Sequence, residues 1–414
     1  MRILIVSQYF WPENFRVNDL ADELVARGNS VTVLSGQPNY PDGVVFPDYR
    51  ANPRRYASYN GIPVHRVPII PRGNSKIALV LNYLSFVVTG LLLGPWKLRG
   101  QEFDAIFVFQ TSPITSAIPA LLLRRLKRAP VLLWVLDLWP DTLSAIGVVR
   151  SQRMLALVGA LVRFIYARCD RILIQSRAFV PKVACYMSDD RKIRYFPGWP
   201  ESIFANAQPP ARPAPELAAW KNDFIILFAG NIGEAQDFPA ILDAAEATSD
   251  LPGVRWIILG DGRARDMVES ELDRRNLRDK VILLGRFPIE RMPEFFAGAD
   301  ALLVSLKSEP IWALTIPGKV QSYLSAGVPL LAMMDGEGAR IVAESGGGLV
   351  APAGKGRLLA ARVRELIAMS RETREQMGMS GREYGDHEFD RARLVSDLET
   401  WMQEAQSALH GRAP

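Results

Sequence analysis

The residues with the most chemical promise lie in LKSEPIWALTIPGKVQSYLSAGVPLLA, residues 306–332. An apolar strand over 301–306 runs into an irregular loop that carries Glu309, Trp312 and Thr315. Pro317 and Gly318 then punctuate the start of a helix over 319–326, which Gly327 stops, with Pro329 just beyond. A strand, a loop and a helix N-terminus make a place to hold an anion, because unpaired backbone N–H groups and the positive end of the helix dipole face the loop. Lys319 adds a full charge there. An ordinary βα turn would carry the same punctuation.

Other stretches have the same character. In FAGNIGEAQDF (228–238), Gly230 and Gly233 let a backbone approach a ligand closely, while Asn231 and Gln236 offer neutral donors. LGDGRAR (259–265) and LGRFP (284–288) end the next two strands and bring Gly260, Asp261, Arg286 and Phe287 to the sheet edge where α/β folds bind nucleotides. In the first half, VLDLWPDT (135–142) ends a strand with Asp137, Trp139 and Asp141. Asp137 is the candidate catalytic carboxylate, and Asp141 reads equally as a helix cap. The first βα loop, QYFWPENFRVNDL (8–20), carries Asn14 and Arg16, and QPNYPDG (37–43) carries Tyr40. The chain has no D-x-D, no G-x-x-x-x-G-K-[ST] and no G-x-S-x-G, so a P-loop ATPase and a nucleophile-elbow hydrolase are excluded.

The elements that position these residues read as two α/β series. A length of 414 residues predicts two domains. Strands are expected near 2–7, 30–34, 63–67, 104–109, 131–135, 172–175 and 194–197, then near 224–229, 255–260, 280–284, 301–306, 329–333 and 348–350, with helices between them. The loop 37–60 is unusually long. The run NAQPPARPAP, 206–215, reads as an interdomain linker, and 391–409 as a final amphipathic helix. Two tandem doubly wound sheets make the cleft between them the expected ligand site. Cys169 and Cys185 lack metal-site spacing, and the N-terminus enters a strand with no signal-peptide pattern, which points to a reducing cytoplasm.

Charge is uneven. Residues 1–200 hold 25 Lys/Arg against 13 Asp/Glu, and residues 201–414 hold 24 against 31. The first half is therefore expected to meet something anionic, such as nucleic acid, a phospholipid surface or a diphosphate. The run 77–96, IALVLNYLSFVVTGLLLGPW, carries no charge and is flanked by Lys76 and Lys97. Its length suits a membrane span, but the strands on either side read as members of one sheet. A buried crossover helix, an interfacial helix, or a dip bent at Gly90 or Gly94-Pro95 remain, and the nearby basic residues favour lipid contact.

The pattern P-x-K-x-x-S-Y-x-S-x-G-x-P at 317–329 resembles the nucleotide-sugar loop of retaining family 4 glycosyltransferases, and further matches run in order over nearly the whole chain. QYFWPENF, QPNYPDG and DLWP are similar to a narrower group, the bacterial transferases of O-antigen, capsule and colanic-acid assembly, such as N-acetylfucosaminyltransferases. The resemblance implies a GT-B fold, two Rossmann-like doubly wound domains facing a central cleft. It implies an acceptor- and membrane-contacting domain over 1–205, a nucleotide-sugar domain over 206–390, and a helix over 391–414 that returns to the first domain. The implied reaction moves an N-acetylhexosamine or deoxy-N-acetylhexosamine, with retention, from a UDP-sugar to a polyprenyl-diphosphate-linked saccharide at the cytoplasmic face of the inner membrane. Nucleic acid is not an implied partner, and the missing D-x-D fits transfer without a metal.

The resemblance also assigns residues. Gly230, Asn231, Gly233 and Gln236 fall on the diphosphate loop, where most relatives have a basic pair, so Lys319 and Arg16 must supply the charge. Gly260, Asp261, Arg286 and Phe287 fall beside the base, with Phe287 next to a uracil, and Thr315 falls on the donor side. The family pairs two glutamates eight residues apart. Here Glu309 is followed at that spacing by Pro317, the ribose-binding glutamate falls on Ser322, and Gln321 or Ser322 must substitute. Asp137 and Glu309 are the implied catalytic carboxylates, with Asn14, Tyr40, Trp139 and Asp141 on the acceptor side. Two other functions suit the same fold: a non-catalytic sugar-nucleotide- or glycan-binding protein, and a UDP-N-acetylhexosamine epimerase.

Overall fold

A computed structural model of the chain describes all residues except Asn74, 146–148, Arg150, 206–211 and 412–414. It divides into two compact units, Met1–Pro197 with Arg391–Pro414, and Gly198–Asp390. The division after Pro197 falls ahead of the proline-rich run expected to be the linker. Residues 206–211 of that run lie outside the described residues, and its remainder leads into the 3₁₀ turn Pro215–Trp220 of the second unit.

The first unit is built on β1 (Arg2–Ser7), β2 (Ser30–Gly36), β3 (Ser58–Tyr59), β4 (Ile62–Val67), β5 (Ala105–Gln110), β6 (Val131–Val135), β7 (Arg171–Ile174) and β8 (Ile193–Tyr195). Their order in the sheet is β3-β4-β2-β1-β5-β6-β7-β8. All neighbours are parallel except the short β3–β4 pair. The central strands are buried along nearly their whole length, as parallel strands covered on both faces must be. The order reverses between β1 and β5, which opens a crevice at their carboxyl ends. The segment expected as one long loop, 37–60, instead contains the helix Pro47–Ala51, the 3₁₀ turn Pro53–Tyr56 and β3. A small cluster of Val45, Tyr49 and Tyr56, with Trp11 and Phe46 against it, gives it a core of its own. The last helix, Arg391–His410, packs on this unit through Arg27–Glu399 at 2.7 Å, Arg391–Glu23 at 3.1 Å and Trp401 edge-on to Phe196.

The uncharged run forms one uninterrupted helix, Lys76–Lys97, capped by Ser75, whose hydroxyl accepts the Ala78 N–H at 3.1 Å. Gly90 and Gly94-Pro95, where one of the three options put a bend, lie within that one helix. These glycines are packing positions: a Cβ on Gly90 would stand 2.7 Å from Pro119 Cγ, and one on Gly94 would stand 3.2 Å from Leu34 Cδ2. Asn82, Phe86, Gly90 and Gly94, four residues apart, form the buried stripe. Ile77, Val80, Leu81, Leu84, Val88, Leu92 and Trp96 form an exposed apolar ridge on the other side, with Ile77 74% and Leu92 70% exposed. β4 and β5, on either side of the helix in sequence, belong to the same sheet.

The second unit carries β9 (Phe224–Ala229), β10 (Val254–Leu259), β11 (Val281–Gly285), β12 (Ala301–Ser305), β13 (Leu330–Met333) and β14 (Gly348–Ala351). All are parallel, in the order β11-β10-β9-β12-β13-β14. This is the doubly wound dinucleotide-fold order, with its switch point between β9 and β12. Trp256, Phe228, Phe238 and Leu359 fill one face of the sheet, and Phe295, Phe296, Val320 and Tyr323 fill the other.

Seating of the Lys76–Lys97 helix on Pro119 can be tested with Gly90→Leu. Overpacking costs about 1–3 kcal/mol, against roughly 1 kcal/mol of helix propensity gained. The thermal midpoint should fall by a few degrees, and an unchanged or raised midpoint would unseat this contact.

Candidate active site

In the second unit, the carboxyl ends of β9, β10 and β11 and the start of the helix Gly318–Ala326 border a cavity of about 530 Å³. Two glycines let the strand ends converge. Gly260, at φ 129°, lies so close to the neighbouring loop that a Cβ would stand 1.8 Å from Gly230 O. Gly230, at φ 146°, leaves the space that Lys319 fills, since a Cβ there would stand 2.5 Å from Lys319 Cε. Tyr323 ties the helix to β9: its hydroxyl donates to Ala229 O at 3.1 Å and accepts the Ala229 N–H at 3.0 Å.

Lys319 is held in an uncomfortable place. Its Nζ lies 3.5 Å from the centroid of the Phe228 ring, is buried, and has no hydrogen-bond partner among the described residues. Loss of hydration pushes the ammonium down to about 7 from the usual 10.5. A ring face attracts a cation, but by less than the hydration lost when a lone ammonium is buried. The positive end of the helix dipole adds to the disfavour. An anion entering the cavity would answer all three.

Glu201 and Ser322 form the polar point opposite in character. The Ser322 hydroxyl donates to Glu201 Oε2 at 2.5 Å, with Gly318 O at 3.2 Å, and both residues border the cavity. Phe204, Phe287, Ile289, Met292 and Phe296 give the cavity an apolar wall, with Arg286 beside Phe287.

Of the donor-side residues expected from the sequence, Gly230, Gly260, Arg286, Phe287, Lys319 and Ser322 border this cavity. The others stand elsewhere. Asn231, Gly233 and Gln236 form the turn after β9, where the Gln236 Oε1 is buried without a partner among the described residues and the Gln236 carbonyl accepts the Ser305 hydroxyl at 2.7 Å. Asp261 accepts the Gly262 N–H at 2.8 Å and pairs with Arg286 at 3.4 Å. The Thr315 hydroxyl donates to Trp312 O at 2.9 Å, Gln321 is buried in the helix's inner face, and Glu309 is exposed ahead of the short helix Pro310–Ala313. Arg16 belongs to the first unit, where it opens the helix Arg16–Ala26.

In the first unit, Asp137 follows β6 and receives a hydrogen bond from Ser112, which follows β5. Burial pushes this carboxyl up to about 6, and the Ser112 bond opposes the rise. The Trp139 indole N–H donates to Ser112 Oγ at 3.1 Å, and Tyr83, from the Lys76–Lys97 helix, also hydrogen-bonds Ser112. Beside them Tyr9 stacks on Phe15 at 5.6 Å, Tyr40 lies 5.5 Å and 5.3 Å from those two rings, and Arg72 sits 5.6 Å over Tyr40. Asn14 is exposed next to this cluster in sequence. Asp141 is committed to Lys182 at 2.6 Å at the start of the helix Asp141–Ala145, so its charge is met by a structural pair.

Three residues that the motifs did not flag organise this region. Glu13 accepts the N–H groups of Phe10 at 3.2 Å, Asn39 at 2.8 Å and Tyr40 at 2.7 Å, stapling the first βα loop to 37–43. Burial raises it to about 7, with these bonds and Arg66 opposing. Arg66 donates to Gly36 O at 2.9 Å and also to Trp11 O. Asn82 accepts Gln8 Nε2 at 2.7 Å and the Tyr9 hydroxyl at 3.2 Å, and donates to Ile70 O at 2.6 Å. The sequence signal available for Asn82 was an amide inside an otherwise apolar helix.

Residues 14–199 match the family model described as glycosyl transferase 4-like domain, and residues 214–384 match glycosyl transferases group 1. The chain belongs to the family 4 glycosyltransferases. Among curated relatives, the probable glycosyltransferase WbjE of Pseudomonas aeruginosa is 29% identical over 248 residues, which cover 56% of this chain and 60% of that protein. The putative colanic acid biosynthesis glycosyl transferase WcaI of Escherichia coli is 26% identical over 343 residues, covering 79% and 82%. Among solved structures, Anabaena HepE in complex with UDP superposes with a TM-score of 0.70 at 12% identity, covering 98% of this chain and all of that one. At that identity the likeness shows the fold, GT-B.

The transferase thus holds a desolvated cation where its strands end. Replacing it tests the cost. Lys319→Met should raise the thermal midpoint of the unliganded protein by a few degrees, because an unpaired buried charge is replaced by an apolar side chain of similar length. The folded-state value near 7 lies below the unfolded 10.5. Wild-type stability should therefore carry the full penalty below pH 7 and recover as pH rises toward 10.5. The gap to the Met variant should be widest below pH 7 and narrow above it. A Met variant less stable at every pH would contradict the assignment.

Proposed function

We propose that this transferase moves an N-acetylhexosamine or deoxy-N-acetylhexosamine from a UDP-sugar to a polyprenyl-diphosphate-linked saccharide, with retention, in the synthesis of a surface polysaccharide. The observation that carries the donor half is Lys319, whose buried ammonium, at the edge of the second unit's cavity, has no hydrogen-bond partner among the described residues. A diphosphate placed there receives the ammonium and the N-terminus of the helix Gly318–Ala326, and both contacts strengthen as the bond to the sugar breaks and charge collects on the leaving oxygen. No metal is needed for that neutralisation. The apolar wall with Phe287 suits a flat base. The HepE structure was solved with UDP, and the name of the relative WcaI points to colanic acid biosynthesis.

The acceptor half rests on the first unit. The Tyr9–Phe15–Tyr40 rings offer a surface for a sugar face, and Asp137, ionised above about pH 6, can take a proton from a sugar hydroxyl held beside them. A lipid-linked acceptor also needs a membrane surface. The exposed ridge of the Lys76–Lys97 helix would lie in one leaflet at the cytoplasmic face of the inner membrane. Lys97 and Arg99, packed against Trp96, would sit at headgroup level. Each basic residue there adds about 1 kcal/mol of attraction to anionic lipid.

Product analysis with a panel of UDP-sugars and a polyprenyl-diphosphate-linked GlcNAc acceptor tests the reaction. Transfer should persist in EDTA, Lys319→Ala should weaken UDP by more than about tenfold, and Asp137→Asn should cut turnover by about 10²–10⁴-fold. UDP binding with no transfer from any donor would instead make the protein a sugar-nucleotide-binding protein. For the membrane, wild type should float with anionic liposomes, and a Leu84→Glu, Val88→Glu, Leu92→Glu variant should stay in the soluble fraction while still binding UDP. Flotation unaffected by the three charges would remove the ridge from the membrane.

A further inference from the structure

In the first unit, the segment 68–72 that follows β4 joins the exposed ridge of the Lys76–Lys97 helix to the tyrosine cluster. Residues 68–70 border a groove of about 500 Å³ together with Leu81, Leu84 and Val88 of that helix. The other lining residues are Ser85 and Thr89, and both hydroxyls are turned to the backbone. Ser85 donates to Asn82 O at 2.8 Å and accepts the Ile70 N–H at 2.9 Å, and Thr89 donates to Ser85 O at 2.8 Å. The groove thus presents almost only hydrocarbon, and a polar group placed in it would be desolvated without a partner. Ile70, Leu81, Leu84 and Val88 are all left exposed, so this apolar surface has no cover from the chain itself.

One end of the groove is charged. Asn82 Nδ2 donates to Ile70 O at 2.6 Å, and Asn82 Oδ1 accepts the Tyr9 hydroxyl at 3.2 Å, which ties the groove wall to the aromatic cluster. Two residues past Ile70, Arg72 is fixed by its own N–H, which donates to Asn39 Oδ1 at 3.0 Å. Two residues of extended chain span about 7 Å. The Arg72 guanidinium sits 5.6 Å over the Tyr40 ring, close enough for its charge to act on the Tyr9 and Tyr83 hydroxyls. No ion pair or hydrogen bond engages that guanidinium among the described residues. An apolar groove, a cation and a cluster of rings therefore follow one another along the segment. A polyisoprenyl-diphosphate-linked sugar has the same order: one hydrocarbon chain, a diphosphate, a sugar. A bilayer phospholipid differs, with two chains on one phosphate.

We propose that the groove between 68–70 and Leu81, Leu84 and Val88 takes the first isoprene units of the acceptor, and that Arg72 receives its diphosphate. This rests on the acceptor reading above and adds a chain-recognition site and a specificity residue to it. The contact is binding alone, and no bond is made or broken there.

Calorimetry on the full chain tests it, with farnesyl diphosphate and dimethylallyl diphosphate as probes and saturating UDP present to occupy the second unit's cavity. Wild type should prefer farnesyl diphosphate by about tenfold or more, the scale of two buried methylene groups. Thr89→Trp, which fills the groove, should remove most of that preference while dimethylallyl diphosphate stays within about twofold, which also reports that the unit remains folded. Leu81→Gln, on the exposed side of the groove, should act in the same direction. Arg72→Gln should weaken both probes by about tenfold and leave their ratio unchanged. Thr89→Trp should still float with anionic liposomes. Equal affinity for the two probes in wild type, or a farnesyl preference untouched by both groove variants, overturns the proposal while leaving the acceptor reading to its own transfer assay. A Thr89→Trp variant that loses flotation together with farnesyl diphosphate also overturns it, since the groove would then be part of a bilayer-facing surface. No transfer to any polyprenyl-diphosphate-linked saccharide overturns the acceptor reading and the groove's role with it.

Discussion

The second unit is organised around one unfavourable interaction, a buried ammonium with no hydrogen-bond partner among the described residues. Lys319 is kept there by groups that cannot hydrogen-bond it: the Phe228 ring below, the bare Cα of Gly230 beside it, and a helix whose dipole points the wrong way for a cation. Each neighbour also has a mechanical reason to be what it is. Gly230 must lack a Cβ for the lysine stem to pass, Gly260 must lack one for Gly230 to sit where it does, and Tyr323 must bond Ala229 for the helix start to stay at the strand end. The packing therefore fixes the charge in place, and the electrostatic demand it creates is available to whatever anion arrives. Such a site is held at the expense of stability, which is the usual relation between preorganised charge and fold.

The first unit solves a different problem with the helix Lys76–Lys97. Its composition is nearly uniform, so hydropathy alone could not say which face is inside. The structure resolves this through side-chain size and hydrogen bonding. Two glycines and Phe86 allow close approach to Pro119 and Leu34, and Asn82 is admitted to the interior because it makes three hydrogen bonds there. Once that narrow stripe is committed, the remaining large apolar side chains have nowhere to go but outward. The exposed ridge is thus a consequence of how the inner face packs, and the glycines that suggested a bend are where Pro119 and Leu34 come close.

Much of the fold was legible because parallel strands buried on both faces leave long apolar runs, and because glycines such as Gly28 and Gly327, both at positive φ, end helices where the pattern stops. The βα loops at the carboxyl ends of the strands were legible for the same reason. What escaped was set by contacts distant in sequence. Glu13 looks like any loop acid until Asn39 and Tyr40 are seen to donate to it, and Glu201 looks like a linker residue until Ser322 is seen to donate to it. Ser322 was read as a substitute for an acid missing from the helix. The structure instead sets on it an acid from well upstream in the chain. Asp141 went the other way: its place in DLWPDT suggested a site, but Lys182 claims its charge.

The charge asymmetry of the chain points away from its chemistry. The first half is rich in Lys and Arg, yet the groups that burial brings near neutrality there are carboxylates, with Glu13 raised to about 7 and Asp137 to about 6. The second half is rich in Asp and Glu, yet the group that burial brings near neutrality there is a lysine, lowered to about 7. Bulk charge is a property of exposed side chains, which salt screens and which steer association at long range. A buried group answers to burial and to its few neighbours, and both act here to bring acids up and the base down toward neutrality. All three groups stand at or beside the carboxyl ends of parallel strands, where loops can be shaped without disturbing the sheet. The surface sign and the site sign are therefore set independently, which is why net charge per half could suggest an anionic partner but not the group that would meet it.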